Sequence, residues 1–348
     1  MNDYASNPFP YGDLALGDSF AARRSERAAL AAAMRDGEDV VVIGRRRLGR
    51  SSLIWNAAQA VAPDGVLVVH VNLMTTPSKE RLAAALVDAI EEIGGAAPLD
   101  LGFNARTAEV DVLLERLLRL PGEMGAERGR RVALIVDEFQ QVAEIDPGLP
   151  DLMRSVFQRQ AEVSHVYSGC KPLAMERIFG DGGEPFWRSA NPIELGPIEP
   201  AAFAPFVAER FAATGKRVAA GAIAALLELT GGHPYATQQL CSFLWQRTGA
   251  GEEATTAELE LALTDVLRSE HTHFLLLWEG CSPNQRLVIE ALAREPGRPF
   301  RAEYRRRHDL GPATNVQRAL KSLEQREIAV GEGGAYRLAE PFLAEWLV

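Results

Sequence analysis

The sequence predicts an α/β unit built on a doubly wound, mostly parallel sheet, followed by a helical unit and a C-terminal winged helix. Three observations carry this. Through the first half, short β-branched apolar runs alternate with longer amphipathic segments, the pattern of βα units. From Pro200 those runs stop, and Ala/Leu-rich helical segments punctuated by Gly and Gly-Pro replace them. After Ser282-Pro283, three more helical segments lead into two short apolar runs with Gly331, Gly333 and Gly334 between them, the order of a winged helix-turn-helix. The predicted domains are 1–199, 200–280 and 281–348.

In chain order, a polar start containing Asn7-Pro8-Phe9-Pro10 precedes a helix expected from Arg23 to Met34, with Ser25 as its N-cap. Strands are expected at Val40 to Ile43, Val66 to Leu73, Val132 to Val136 and Val163 to Tyr167. Each is nearly all apolar, as strands covered by helices on both faces must be. Helices are expected between them at Ser51 to Ala62, Lys79 to Ile93, Val110 to Leu118 and Leu152 to Gln160. The helical unit reads as Ala201 to Thr214, Val218 to Leu229, Tyr235 to Arg247 and Thr256 to Leu276. The last unit reads as helices at Asn284 to Arg294, Ala302 to His308 and Thr314 to Arg326, then strands at Ile328 to Val330 and Tyr336 to Leu338.

The chain has 348 residues, 47% hydrophobic and 24% charged, with a formal net charge of -10. That composition excludes disorder and fibrous repeats, and the charge argues against a surface coated uniformly for nucleic acid or anionic lipid. The three cysteines, Cys170, Cys241 and Cys281, lack metal-ligand spacing and are far apart, so a reducing compartment is expected. The first residues show no basic stretch followed by an apolar one, and no apolar run approaches the ~18 to 20 residues needed to span a bilayer. The expected setting is cytoplasmic, without a membrane partner.

The first predicted strand runs into Gly44-Arg45-Arg46-Arg47-Leu48-Gly49-Arg50-Ser51, and Ser51 and Ser52 open the next helix. Strand, glycine loop and helix together form a phosphate-binding loop. The glycines let backbone N–H groups converge on phosphate, the helix N-terminus adds positive potential, and Ser51 is placed to ligate Mg²⁺. Arg50 stands where lysine is usual. It keeps the charge, but its forked, planar group cannot deliver a point charge to the same place. Downstream, Val132-Ala133-Leu134-Ile135-Val136-Asp137-Glu138 is an apolar strand ending in two carboxylates, the Walker B pattern. Asp137 is the expected second Mg²⁺ holder and Glu138 the expected general base.

With these motifs in place, the chain resembles, nearly end to end, the archaeal-type ATPase family of the STAND class of P-loop NTPases, relatives of the AAA+ proteins. Asn7-Pro8-Phe9 and the box Phe20-Ala21-Ala22-Arg23-Arg24-Ser25-Glu26 are similar to that family's opening, with Ala22 in place of a glycine. The resemblance sets Arg23 and Glu26 near the adenine. It makes Asp137-Glu138-Phe139-Gln140 the family's Walker B and Val166-Tyr167-Ser168-Gly169 its next strand tip, so that Ser168 would sense the γ-phosphate. Arg188, in Pro185-Phe186-Trp187-Arg188, would stabilise developing phosphate charge from the same or a neighbouring subunit. His233 and Pro234, in Gly231-Gly232-His233-Pro234-Tyr235, would pack on base or sugar. The end of the chain, Tyr336 to Leu347, resembles the family's closing wing and helix, with Glu340 in place of an aspartate.

The implied function is an ATP/ADP-binding, Mg²⁺-dependent ATPase acting as a nucleotide-dependent switch, slow or defective in hydrolysis because of Arg50. Two alternatives stay open: a catalytically dead nucleotide-binding scaffold, and a DNA-binding winged-helix protein gated by nucleotide. Asn315, Gln317, Arg318, Lys321 and Ser322, with Arg305 to Arg307 before them, form a set able to contact duplex DNA. Self-association or a protein partner through the lid and winged helix is the other expected use of these units.

Overall fold

The computed structural model describes residues 6–94 and 109–348, which form two compact units, Leu14–Gly196 and residues 6–13 with Pro197–Val348. Residues 1–4, whose pattern was read above, lie outside the described residues.

The first unit runs α1 (Arg24–Asp36), β1 (Val40–Gly44), α2 (Arg50–Val61), β2 (Leu67–Asn72), α3 (Lys79–Gly94), α4 (Val110–Arg128), β3 (Val132–Asp137), α5 (Val142–Ile145), α6 (Leu149–Phe157), β4 (Val163–Gly169), α7 (Pro172–Gly180) and β5 (Asn191–Leu195). Its five strands are all parallel, in the order β2-β3-β4-β1-β5. Side chains alternate across each strand, so the sheet buries two apolar faces. Val40, Val42, Ile135 and Val166 pack under α1 and α2 with Leu30, Met34, Leu53 and Ala57. Val41, Val69, Val71, Leu134 and Tyr167 face α3, α4 and α6. Each fully buried Leu or Met in these layers contributes roughly 1.5–3 kcal/mol. This is the doubly wound parallel sheet that the apolar runs predict.

Three elements differ from expectation. The helix expected to stop at Leu118 continues as α4 to Arg128 through Pro121. A proline inside a helix frees carbonyls of the preceding turn, and here Gln160 Nε2 donates to Leu118 O at 2.8 Å and Arg119 O at 3.2 Å. Gly122 leaves room for that side chain, since a Cβ there would lie 3.0 Å from Gln160 Cγ. The sheet also has a fifth strand, β5, hidden in the sequence by Pro192. It is an edge strand paired with β1 alone, where a missing N–H is tolerated. Finally, α1 is capped by Arg23 and not by Ser25, whose hydroxyl donates to Glu26.

The second unit holds α8 (Pro200–Ala213), β6 (Arg217–Val218), α9 (Ala220–Thr230), α10 (Pro234–Arg247), β7 (Glu253–Ala254), α11 (Thr256–Glu279), α12 (Pro283–Arg294), α13 (Ala302–Arg307), α14 (Ala313–Gln325), β8 (Ala329–Glu332), β9 (Ala335–Leu338) and α15 (Pro341–Leu347). Thr255 with Glu258, and Ser282 with Gln285, close reciprocal capping boxes that start α11 and α12. The expected helical and winged-helix parts cluster as one unit, and residues 6–13 join them. Asn7 Nδ2 donates to Ser242 Oγ at 2.8 Å, and the Phe9 ring lies 5.3 Å from that of Phe211. The pair β6 and β7 is a two-strand parallel contact inside the region expected to be all helical. Helices α12, α13 and α14 followed by the antiparallel hairpin β8–β9 make the winged helix. Among the described residues, no helix is long and apolar enough to cross a membrane.

Candidate functional site

Strand β1 ends at Gly44 and α2 begins at Arg50, so the glycine motif is the turn between a central strand and a helix. The turn needs left-handed backbone at Arg47 (φ +63) and Gly49 (φ +85). Glycine adopts it freely, whereas an L residue such as Arg47 gives up roughly 1–2 kcal/mol, strain of the kind held at binding loops. Gly44 is favoured by crowding instead: a Cβ would sit 3.0 Å from Leu195 Cβ and 3.2 Å from Arg50 Cγ. Along the turn Leu48 is buried, Arg45 half-buried, and Arg46 and Arg47 exposed.

Arg23 braces this turn from within the unit. It is 8% exposed, and its Nη2 donates to the carbonyls of Leu48 at 3.1 Å and of Gly196. Burial pushes its guanidinium below the ordinary value, with the Glu26 carboxylate opposing. Ala22, in place of the glycine of the resembled box, has φ +50 and therefore keeps the backbone that glycine would take. Ser52 is also committed, its Oγ accepting the Ala15 N–H at 3.1 Å, while Asn56 Oδ1 accepts the Gly17 N–H at 3.0 Å. These contacts tie the segment at 15–17 to α2.

The centre of the site is Arg50. Only 7% exposed, it extends across the strand ends: Nη2 donates to Glu138 Oε1 at 2.9 Å and Nη1 to Ser168 Oγ at 3.0 Å, with Asp137 Oδ1 3.8 Å away. Asp137 ends β3, and Ser168 lies near the end of the adjacent β4. Glu138 follows in a left-handed conformation (φ +54) that turns the chain out of the sheet, and its N–H donates to Asp137 Oδ1 at 2.9 Å. Gln140 Nε2 donates to Glu138 Oε2. Burial raises the Glu138 carboxyl, but the hydrogen bonds from Gln140 and Arg50, with Arg50's charge, outweigh it and hold the group below the usual carboxylate range.

The structure thus brings Gly44, Arg50, Asp137, Glu138 and Ser168 to one end of the sheet. Gln140 belongs with them, although its sequence context assigned it no role. Its signal was an amide two residues beyond the strand's acidic pair. Cys170 is a second such residue, buried with its Sγ 3.5 Å from Gln140 Nε2.

The donor set suits Mg²⁺, which keeps water and phosphate ligands and asks the protein for one or two oxygens. The half-buried Ser51 hydroxyl and the Asp137 carboxylate would be those oxygens. Among the described residues, no three His, Cys, Asp or Glu side chains gather as a metal cage.

Arg188 is elsewhere. It precedes β5, whose Asn191 is in register with Val40 at the start of β1, so it lies at the opposite end of the sheet from the glycine turn. There it lines a cavity of about 550 Å³ with Asp39, Arg154 and His165, and its guanidinium carbon lies 5.2 Å from the Trp187 ring centroid. This corrects the expectation that it serves phosphate within its own chain. His233 and Pro234 belong to the second unit. Gly231 (φ +54) ends α9, and Gly232 (φ +69) has no room for a side chain, since a Cβ would lie 2.1 Å from Ile198 O. His233 Nδ1 accepts the Ala236 N–H at 3.4 Å and Pro234 is the first residue of α10, so this motif is also a helix-to-helix turn.

Residues 272–348 match the family model described as "Probable winged helix domain". Among solved structures, a Walker-type ATPase of Pyrococcus abyssi is similar, with a TM-score of 0.75 and 16% identity, covering 98% of this chain and 99% of that one. The ORC1 protein of Aeropyrum pernix in complex with DNA matches at TM-score 0.54 and 14% identity over 95% of this chain and 93% of that one. The ADP form of A. pernix ORC2 matches at 0.55 and 15%, over 98% and 96%. None of the curated proteins matches the chain. At these identities the likeness speaks to the fold: the chain has the parallel-sheet architecture of AAA+ ATPases, with a winged helix domain at its C-terminus.

Proposed function

We propose that this chain is an ATP- and ADP-binding P-loop ATPase of the STAND type that acts as a nucleotide-dependent switch, with slow hydrolysis. The observation that carries the reading is Arg50 on the glycine turn, joined to Glu138 and Ser168 at the ends of β3 and β4. The N–H groups of Arg45 to Arg50 and the start of α2 would cradle phosphate. Ser51 and Asp137 would hold Mg²⁺, which supplies charge neutralisation at the phosphates when bound. Glu138 would accept a proton from the attacking water, and Ser168 would sense the terminal phosphate through its hydroxyl. Slow turnover follows from Arg50, because its guanidinium must leave the general base before that base can meet water.

The switch reading assigns His233 and Pro234 to the nucleotide's base or sugar, as the resemblance implies, and links the winged helix to nucleotide state. Arg188 acts on the phosphates of a neighbouring copy, so self-association belongs to this reading. Cys170, Cys241 and Cys281 are buried thiols, which supports a cytoplasmic setting. The test is ATP turnover with Mg²⁺ by the wild type beside Glu138→Gln: turnover abolished by the substitution supports the assignment, and turnover that survives it refutes Glu138 as the base.

A second reading, a winged helix that contacts duplex DNA, is favoured by one feature of α14. Thr314, Gln317, Arg318 and Lys321 form an exposed stripe opposite the buried Val316, Ala319, Leu320 and Leu323. The A. pernix ORC1 structure contains DNA. On this reading the stripe enters the major groove, and salt-dependent duplex binding is its signature.

A further inference from the structure

Arg50 is buried in the position where the glycine motif calls for a lysine, yet it is engaged away from the turn. One guanidinium edge serves Glu138 at 2.9 Å and Ser168 at 3.0 Å, and Asp137 stands 3.8 Å off. Glu138 is itself held from its other oxygen by Gln140, whose Oε1 is buried without a hydrogen-bond partner. Gly169 makes space for Gln140 there, since a Cβ would come within 2.7 Å of Gln140 Oε1. The carboxylate is therefore clamped between an amide and a guanidinium at the ends of two strands. A lysine ammonium, a compact charge on a flexible stem, lacks the planar fork that bridges the carboxylate and the hydroxyl together.

We propose that Arg50 is an autoinhibitory latch: its guanidinium serves either Glu138 and Ser168 or the terminal phosphate of a bound triphosphate, so triphosphate binding and release of Glu138 are one coupled event. This rests on the nucleotide reading given above. A diphosphate has no γ-phosphate to offer Arg50 and leaves the latch closed. The site accordingly discriminates between the two nucleotides through the strength of an internal contact. Loosening that contact from the Glu138 side strengthens triphosphate binding and leaves diphosphate binding nearly unchanged, because differential interaction alone moves a two-state element.

The test is a double-mutant cycle on the full chain without turnover, titrating a non-hydrolysable ATP analogue and ADP with Mg²⁺. Glu138→Gln retains the shape and an acceptor oxygen but replaces an ion-paired hydrogen bond by one from the same cation to a neutral amide. It should raise the ratio of analogue affinity to ADP affinity by about tenfold, the worth of that exchange. The same substitution in an Arg50→Met background should leave the ratio unchanged, which separates release of Arg50 from simple loss of repulsion between Glu138 and phosphate. Ser168→Ala, which removes the second acceptor with little change in packing, should raise the ratio by about threefold relative to its effect in the Arg50→Met background, where only the hydroxyl's own contact with the terminal phosphate is lost, and keeps the test open should Glu138→Gln fold poorly. A readout without nucleotide completes it: Glu138→Gln should weaken hydrogen-exchange protection at the β3 and β4 amides of the free protein, because Arg50 loses its closest counter-charge. An equal shift for both nucleotides, or a shift that persists with Met at position 50, overturns the latch and leaves nucleotide binding standing. Failure of the wild type to bind either nucleotide overturns the functional reading itself.

Discussion

Replacing Arg50 with alanine measures how much of the α/β unit's stability the site holds. Arg50 and Glu138 are each more than nine-tenths buried, as is Asp137 beside them. Removing one partner of a buried pair costs about 3–5 kcal/mol, chiefly because the remaining charge is left without compensation. Two features here place the loss near the lower end. Asp137 keeps the Glu138 N–H and Glu138 keeps the Gln140 amide. The side chain also stands at the end of the sheet beside an exposed turn, where water can enter the space it leaves. The expected loss is therefore about 3 kcal/mol for Arg50→Ala, and about 1 kcal/mol for Arg50→Lys, which retains the charge but not the bridge. Because the chain has two compact units whose transitions need not coincide, the assay is native-state hydrogen exchange at the amides of β3 and β4, which reports this unit alone. A loss below about 1 kcal/mol for the alanine variant would equal that of an exposed ion pair and would refute the buried, paired state argued for Arg50.

Other outcomes follow from the same geometry. Glu138 has its carboxyl held below the usual range, so its contribution to stability is full above the unfolded value of about 4.3 and is lost as pH falls through the lowered folded value; the wild type should lose stability there more steeply than Glu138→Gln, and parallel pH curves would contradict this. Gly232→Ala should cost more than 3 kcal/mol and Gly231→Ala only about 1 kcal/mol, since both have positive φ but only the first meets Ile198 O at 2.1 Å. Equal losses in urea unfolding would show that the close approach does not govern this turn. If the second reading holds, Arg318→Ala with Lys321→Ala should weaken duplex DNA binding and flatten its dependence on salt by about two units of slope, whereas unaltered binding would remove α14 from the interface.

Much of this architecture is legible in the sequence for reasons that can be named. Strands β1 to β4 each carry an apolar run that stands out, and the capping residues Thr255 and Ser282 mark the starts of their helices. Pro192 conceals an edge strand because propensity says nothing of which side of a strand must pair. Pro121 reads locally as the end of a helix because its repair comes from Gln160, a residue 39 positions away in a chain whose distant contacts no local pattern records. The site shows the same division. Asp137 and Glu138 declare themselves by following an apolar strand, and Arg50 by its place in the glycine motif. That Arg50 turns toward Glu138 and Ser168 depends on β3 and β4 lying beside β1's end of the sheet, a matter of strand order and register. Which end of the sheet Arg188 occupies is hidden for the same reason, since it is known only once β5 is found, and the sequence therefore leaves its own chain and a neighbouring one both open.

The most direct test of the account is a calorimetric titration of the purified protein with ATP and Mg²⁺, beside Asp137→Ala and Arg50→Ala under the same conditions. The account predicts saturable binding at one site in the wild type, weakened about tenfold or more in each variant because each removes a group that faces phosphate or Mg²⁺. Absence of binding in the wild type, or wild-type affinity in both variants, would contradict it.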